Sequence, residues 1–277
     1  MVDKDGTSRM TYYICETCGV QLDDSKEPPS ACPICTDERQ FVGWEGQRWT
    51  TLEKMRRRRF KNRVKRVRRG LHQIITEPPF AICQRAFLVE TGSGNLLWDC
   101  ITYLDGKTIS AIEELGGIDC IAISHPHYYS SIVEWSDTFG GAPVYIHESD
   151  RMWVQRKGPK ITYWKGEKTS PLPGLEIINL GGHFDGSSVL CWRPADSRGV
   201  LLSGDTIYVV MDRRWASFMY SYPNHIPLSA RKVRDIASRI KTYEFDDMYS
   251  GFEEREIIGG ADLAVQASAR RYIAHLR

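Results

Sequence analysis

Residues 122–131 read AISHPHYYSS and place two histidines, His125 and His127, one residue apart. The run IDCIAIS that ends just before His125 is typical of a buried strand. Because a strand that ends in His-x-His presents two imidazoles to one point in space, the stretch indicates a metal site. Tyr129 and Ser130 follow, at positions where a second metal would need a carboxylate and another histidine. The stretch therefore predicts a metal and leaves open whether the site holds one ion or two.

Two further motifs have the same form. A Gly-Gly-His triplet that ends at His183 follows an apolar run ending at Leu180, and Gly204-Asp205 follows another such run. Each puts a ligand-type side chain at the C-terminal end of a predicted strand, where rigid elements bring several groups to one ion. From about residue 79, short apolar strands alternate with helices, which predicts packed sheets with helices outside.

Together the three motifs resemble those of the metallo-β-lactamase-fold hydrolases, which carry His-x-His-x-Asp-His, then Gly-His, then Gly-Asp, and a late Gly-His. The resemblance covers residues 79–277 and implies an α/β fold, an αββα sandwich with a hydrolase site. The whole chain is similar to a group of microbial and fungal hydrolases that join a four-cysteine ribbon to this fold. The resemblance assigns the first metal to His125, His127 and His183, and the aspartate that touches both metals to Asp205.

The chain departs from this pattern at the second metal. The aspartate and histidine of that site map onto Tyr129 and Ser130, and the late histidine falls at Phe252. Because these three side chains cannot replace a carboxylate and two imidazoles, we expect one metal ion, held by three histidines and Asp205.

Such a site implies a mononuclear zinc hydrolase that cleaves an amide, lactam, ester or lactone bond in a small molecule. Zinc with three histidine ligands lowers the pKa of bound water to about 7. Asp205 is expected either to bind the metal or to accept the proton of that water. Tyr129 has two interpretations, a hydrogen-bond donor to the oxyanion or leaving group, or a filler of the second-metal position. His225 lies on a proline-rich loop that could reach the pocket mouth.

The N-terminal segment contains two Cys-x-x-Cys pairs, Cys15/Cys18 and Cys32/Cys35. Four thiolates at this spacing complete a tetrahedron, so we expect residues 1–48 to form a zinc ribbon with one structural ion. A rubredoxin-like iron site is the alternative, and iron is also an alternative to zinc at the histidine site. Disulfides are disfavoured because the polar N-terminus is unlike a secretory signal.

Residues 54–69 contain 11 lysines and arginines and no acid, although the net charge of the chain is only +2. Apolar residues recur at spacings of three to five over residues 51–71, which predicts a basic linker helix within residues 49–78. Such a helix would allow nucleic-acid binding, a second class of function. We do not favour it, since the run lacks interleaved aromatic stackers.

The sequence shows no apolar run of membrane-spanning length, so we expect a cytoplasmic protein with no membrane partner. A third class of function stays open, a non-catalytic binding module that retains the fold and a vestigial metal. The sequence does not indicate the substrate or the oligomeric state.

Overall fold

The computed structural model describes residues 10–158, 160–195 and 198–276. The N-terminal segment has little regular structure beyond two short antiparallel strands, β1 (Ile14–Cys15) and β2 (Trp49–Thr50). A six-residue helix, α1 (Leu52–Arg57), follows, and the Thr51 side chain caps it by accepting the Lys54 N–H.

The first sheet has seven strands, which pair in the order of the chain. The strands are β3 (Lys61–Arg68), β4 (Leu71–Glu77), β5 (Ala86–Thr91), β6 (Gly94–Trp98), β7 (Cys120–Ala122), β8 (Val144–His147) and β9 (Ile161–Trp164). The first four are antiparallel, and β6 to β9 are parallel. The crossovers between the parallel strands carry α2 (Gly106–Glu114) and α3 (Ile132–Thr138).

The second sheet has six strands in the order β10-β11-β12-β13-β18-β19. Its strands are β10 (Lys168–Thr169), β11 (Leu175–Asn179), β12 (Ser188–Trp192), β13 (Val200–Leu202), β18 (Asp247–Tyr249) and β19 (Glu256–Ile257). Two small hairpins intervene, formed by β14 (Tyr208–Val209), β15 (Ala216–Ser217), β16 (Met219–Ser221) and β17 (Ile226–Pro227). Helices α4 (Ala230–Ile240) and α5 (Ala261–His275) complete the chain.

The alternation of side chains along the strands stacks these elements in four layers. In β6, Leu96 and Trp98 join the cluster between the sheets, whereas Leu97 faces the cluster under α2 and α3. Apolar residues of α4 and α5 pack on the outer face of the second sheet. Because each sheet is buried on both faces, its central strands are apolar throughout. The arrangement confirms the expected αββα sandwich.

The prediction of a basic linker helix within residues 49–78 is wrong beyond α1. Residues 61–68 form the edge strand β3, and β3 and β4 belong to the first sheet rather than to a linker. Val64 and Val67, three residues apart, pack against different clusters, one outside the sheet and one between the sheets. A spacing of three fits one helix face but also the two opposite faces of a strand, so the periodicity alone was ambiguous.

The N-terminal segment packs directly on the first sheet and its loops. Gly19 has a left-handed backbone (φ +81°), and its carbonyl accepts the Thr102 hydroxyl at 2.8 Å. A Cβ at Gly19 would clash with that same hydroxyl oxygen, so only glycine fits. In the described ranges, no helix is long and apolar enough to cross a membrane.

Candidate metal centres

Five loops converge at one edge of the two sheets, each at the C-terminal end of a strand. His125 and His127 follow β7, His183 follows β11, and Asp205 follows β13. The loop after β6 contacts the histidine loop through Asp99, and the loop after β18 does so through Gly251. The ligand-type atoms of these four residues all lie within 4.8 Å of one another, and all four residues are buried. The strand ends thus bring residues far apart in sequence to one point.

The three imidazoles are held in defined orientations. His183 Nδ1 donates to the Tyr220 carbonyl in β16 at 2.8 Å. The other ring nitrogen, Nε2, is therefore unprotonated and has its lone pair available for a metal ion. That nitrogen faces His127 Nδ1 at 3.2 Å. On the other side, His125 Nδ1 lies 2.9 Å from the Ser124 hydroxyl, and its Nε2 lies 3.5 Å from Asp205 Oδ2.

Several atoms of this cluster have no hydrogen-bond partner among the described residues. They are His125 Nε2, His127 Nε2 and Asp205 Oδ1, all fully buried. A buried polar atom without a partner is costly, so such atoms require an unseen partner. Three imidazoles and a carboxylate are a donor set that suits zinc and related transition metals. The residues therefore fit a single metal ion.

The electrostatics keep the imidazoles in the form that binds metal. Burial, with the neighbouring His125, lowers the pKa of His183 to about 3. Burial and the two other imidazoles also hold the pKa of His127 well below its ordinary value. Both rings are therefore neutral at physiological pH, as a ligand must be.

The backbone around the cluster depends on buried polar contacts. Asp99, directly after β6, accepts the Ser124 N–H at 2.7 Å and so fixes the start of the histidine loop. Burial raises the pKa of this carboxyl well above its ordinary value. Gly204 has φ +50°, and a Cβ there would meet Ser124 Oγ at 2.7 Å. The Tyr222 hydroxyl donates to the Asp205 carbonyl at 2.8 Å.

A cavity of about 460 Å³ opens beside the cluster, and His127, His183 and Asp205 form part of its lining. The remaining walls are largely apolar and aromatic. They consist of Gln40, Phe41, Ile82, Tyr208, Val210, Ser217, Met219, Tyr222, Pro223, His225 and Phe252. Among these described lining residues none is a lysine or arginine. The cavity thus has the size and the composition of a small-molecule site.

The second cluster consists of the four N-terminal cysteines, whose sulfur atoms also lie within 4.8 Å of one another. The Sγ pairs Cys15–Cys35 and Cys18–Cys32 are 3.5 and 3.6 Å apart, too far for a disulfide but suited to a shared ion. Gln47 Nε2 donates to Cys15 Sγ at 3.3 Å. Hydrogen bonds from the other thiols lower the pKa of Cys15, which favours a thiolate there.

Comparisons with known proteins place the chain in a family. No protein-family model matches it. The uncharacterized protein YmaE of Bacillus subtilis strain 168 is 51% identical over 269 residues, which cover 96% of this chain and 97% of YmaE. This chain belongs to the YmaE family.

Solved structures show the fold of this YmaE-family chain. The DIM-1 metallo-β-lactamase matches with a TM-score of 0.56 and 14% identity, over 76% of this chain and 98% of that one. The mono-zinc form of FIM-1 from Pseudomonas aeruginosa matches at 0.54 and 16%, over 76% and 95%. The metallo-β-lactamase family protein TTHA1429 from Thermus thermophilus matches at 0.52 and 17%, over 76% and 80%. The chain has the metallo-β-lactamase fold.

The residues expected at a second metal lie apart from the YmaE-family chain's histidine cluster. Tyr129 is buried, lies outside the cavity lining, and donates its hydroxyl to the Asp150 carbonyl at 3.1 Å. Of the two interpretations of Tyr129, this buried position agrees with a packing role rather than with a hydrogen-bond donor at the cavity. Ser130 Oγ donates to the Cys100 carbonyl at 3.0 Å. Phe252 does line the cavity.

Sequence reasoning missed several residues of this cavity, among them Tyr208 and Gln40, and placed His225 only loosely. Tyr208 lies three residues after Asp205, and within the described part of the chain its hydroxyl has no hydrogen-bond partner. Its position after a predicted ligand was the available signal. Gln40 reaches the cavity from the cysteine segment, for which no sequence signal existed. His225 lines the cavity, as its proline-rich loop indicated, but is not part of the four-residue cluster.

Proposed function

We propose that the protein is a mononuclear metal-dependent hydrolase that cleaves an ester, lactone, amide or lactam bond in a small molecule. The observation that carries the proposal is the position of the four-residue cluster, which contains three buried atoms without partners and three residues that line an open cavity. A structural metal site is usually closed, whereas a catalytic one keeps a position open to a substrate. The fold of the metallo-β-lactamases supports the proposal.

The ion would be held by His125, His127 and His183, with Asp205 as fourth ligand or as proton acceptor. Zinc in such a set supplies Lewis-acid chemistry, since it acidifies water and polarises a carbonyl group. The carboxylate of Asp205, 3.5 Å from His125 Nε2, orients and deprotonates the attacking water if it does not bind the metal. The unpartnered hydroxyl of Tyr208 donates a hydrogen bond to the oxygen on which negative charge develops.

A single ion is proposed because the second position lacks ligands. Tyr129 and Ser130 are engaged with backbone carbonyls, and Phe252 presents a phenyl ring to the cavity. The ring of Phe252 packs against Tyr208, with centroids 5.7 Å apart. Apolar packing thus occupies the side of the cavity where a second ion would need an imidazole.

The four-cysteine cluster is proposed to hold a structural zinc ion, with iron as the alternative. Its cysteines are at most 2% exposed, and none of them lines the cavity beside the histidines. Four sulfur ligands close the coordination sphere, which leaves no position for a substrate. The reduced state of such a cluster agrees with a cytoplasmic location.

The basic segment does not favour a nucleic-acid function, because many of its charges are paired within the chain. Arg57 lies 2.6 Å from Glu53. Arg63 lies 2.8 Å from Glu77 and 2.9 Å from Glu253. Paired arginines make weaker contacts with phosphates than free ones, since the acids compete for the same donors.

The proposed function is tested by metal analysis combined with a substrate panel. Protein purified without added metal should contain two ions per chain and hydrolyse at least one neutral ester, lactone or lactam. Dipicolinate should remove one ion and all activity while the far-ultraviolet circular dichroism is unchanged. Three tightly bound ions would contradict the single-metal site, and full activity of the metal-free protein would contradict the mechanism.

A further inference from the structure

The chain segment that follows Cys35 forms one wall of the metal cavity. Gln40 and Phe41 line the cavity together with His127, His183 and Asp205. Gln40 is 5% exposed and Phe41 is 41% exposed. The four-cysteine segment is therefore part of the candidate active site and not a separate module beside it.

Hydrogen bonds fix this wall against the loop that follows β16. The side-chain amide of Asn224 donates to the carbonyls of Glu38 and Gln40, at 2.9 Å each. Ser221 Oγ donates to the Arg39 carbonyl at 3.1 Å. Because Ser221 and Asn224 hold the carbonyls of residues 38–40, the wall has a defined position at the cavity.

Arg39 links the wall to the metal ligands themselves. Its guanidinium lies 3.9 Å from the ring centroid of Phe184, the residue after His183, and donates to the His183 carbonyl at 3.4 Å. Asp37 accepts from the same guanidinium at 2.5 Å and 2.9 Å. A cation stacked on an aromatic ring and paired with a carboxylate is rigid. The position of Gln40 is thus set relative to His183.

Gln40 and Phe41 offer a hydrogen-bond donor and an apolar ring to a ligand in the cavity. Gln40 is part of the cavity lining, and its Oε1 accepts the Phe41 N–H at 3.2 Å, whereas its Nε2 has no partner among the described residues. The Phe41 ring adds an apolar surface at the mouth. The described lining contains no lysine or arginine, so no guanidinium or ammonium group of the lining pairs with an anionic group of a substrate.

We propose that Gln40 and Phe41 are specificity-determining residues that contact a neutral substrate with an apolar acyl or ring group. Gln40 Nε2 donates to a carbonyl or ether oxygen of the substrate, and Phe41 packs on its apolar group. The inference rests on the proposed function, because it assigns substrate contacts to the same cavity.

The test measures binding, not turnover, with two neutral hydroxamic acids that share one metal-binding group. Benzohydroxamic acid carries a ring that can pack on the wall, and acetohydroxamic acid carries only a methyl group. Calorimetric titration of the metal-loaded protein should show that Phe41→Ala lowers the benzo/aceto affinity ratio about fivefold, through lost apolar contact. Gln40→Glu keeps the acceptor for the Phe41 N–H but removes the donor, so it should weaken both ligands about tenfold.

Trp44→Ala is the matched control, because Trp44 is a fully exposed aromatic residue of the same segment outside the cavity lining. It should leave both affinities unchanged, and all three variants should keep two metal ions. An unchanged ratio in Phe41→Ala would overturn the wall assignment even if the protein hydrolyses esters. If the expected ratios appear and no substrate is hydrolysed, the proposed reaction fails and the wall assignment stands.

Discussion

The two candidate metal centres use the same number of ligands but opposite designs. The cysteine cluster joins two short turns of a segment that has almost no regular structure, and its four sulfur atoms face one another, with Gln47 Nε2 donating to one of them. The histidine cluster is built on the ends of strands in two sheets, and three of its atoms lack partners beside a cavity. A segment with little regular structure depends on its ion to hold its turns together, whereas the packed sandwich holds the histidine cluster in place and leaves its ion, as we propose, for chemistry.

The comparison also shows how the two centres depend on each other. Arg39, just after the second cysteine pair, stacks on Phe184 beside the metal ligand His183. The cysteine cluster, here the closed centre, therefore stabilises a wall of the cavity beside the histidine cluster, here the open centre. Variants that remove one ion at a time should separate the two roles.

The largest expected effect comes from removing a ligand of the open centre. His183→Ala should lose one of two ions and lower hydrolysis at least ~10³-fold, about 4 kcal/mol of transition-state stabilisation. The circular dichroism should be unchanged, because the sandwich does not depend on this ion. His225→Ala is the control, since His225 lines the same cavity outside the cluster, and it should keep both ions and activity within about tenfold. Turnover by metal-free His183→Ala would make the histidine cluster incidental.

The next effect concerns the closed centre and acts on stability. Cys32→Ser should lose the other ion and about 3 kcal/mol of the free energy of unfolding, with activity falling only as the folded fraction falls. Urea unfolding followed by circular dichroism, together with ion analysis, measures both quantities. Cys191→Ala removes a buried thiol outside both clusters and should cost about 1 kcal/mol without metal loss. A Cys32→Ser protein of full stability would show that the cysteine cluster has no structural role.

A smaller effect distinguishes two tyrosines near the open centre. Tyr208→Phe removes a hydroxyl that lines the cavity and should lower kcat about tenfold at unchanged metal content, through a lost hydrogen bond in the transition state. Tyr129→Phe is the control, because its hydroxyl donates to the Asp150 carbonyl away from the cavity. It should leave kcat within about twofold and cost about 1 kcal/mol of stability. Equal losses of kcat in both variants would remove Tyr208 from the reaction.

The sequence predicted the parts of this comparison that depend on local patterns. The histidine and glycine motifs at strand ends identified four residues that the fold brings together, and the alternating apolar runs predicted the sandwich. The orientation of Tyr129 could not be read from its position, since one turn of 3-10 helix over Pro126–Tyr128 decides which side chain faces the core. The contact of Gln40 and Phe41 with the cavity links segments far apart in sequence, and no local pattern encodes such a contact.

The smallest effect concerns the support beneath the open centre. Asp150 Oδ1 accepts the Gly186 N–H at 2.7 Å and so holds the loop that carries His183. Burial, with Asp185 nearby, raises the pKa of Asp150 to about 7, although the Gly186 N–H and Arg39 act in the opposite direction. Between about pH 4 and pH 7 the folded state therefore binds a proton that the unfolded chain has released. The stability contributed by this group is full below about pH 4 and is lost as the pH rises through about 7.

Asp150→Asn keeps the acceptor for the Gly186 N–H and removes the ionisation. The difference in free energy of unfolding between the variant and the native protein should therefore shift by about 1 kcal/mol in favour of the variant from about pH 6 to about pH 7. Urea unfolding curves at several pH values measure this difference. The contributions of ionisable groups that both proteins share cancel in it. Asp137→Asn, the same exchange at an exposed position of α3, is the control. A difference that does not change with pH would mean that Asp150 is ionised over the whole pH range. The loop that carries His183 would then be held by a carboxylate anion.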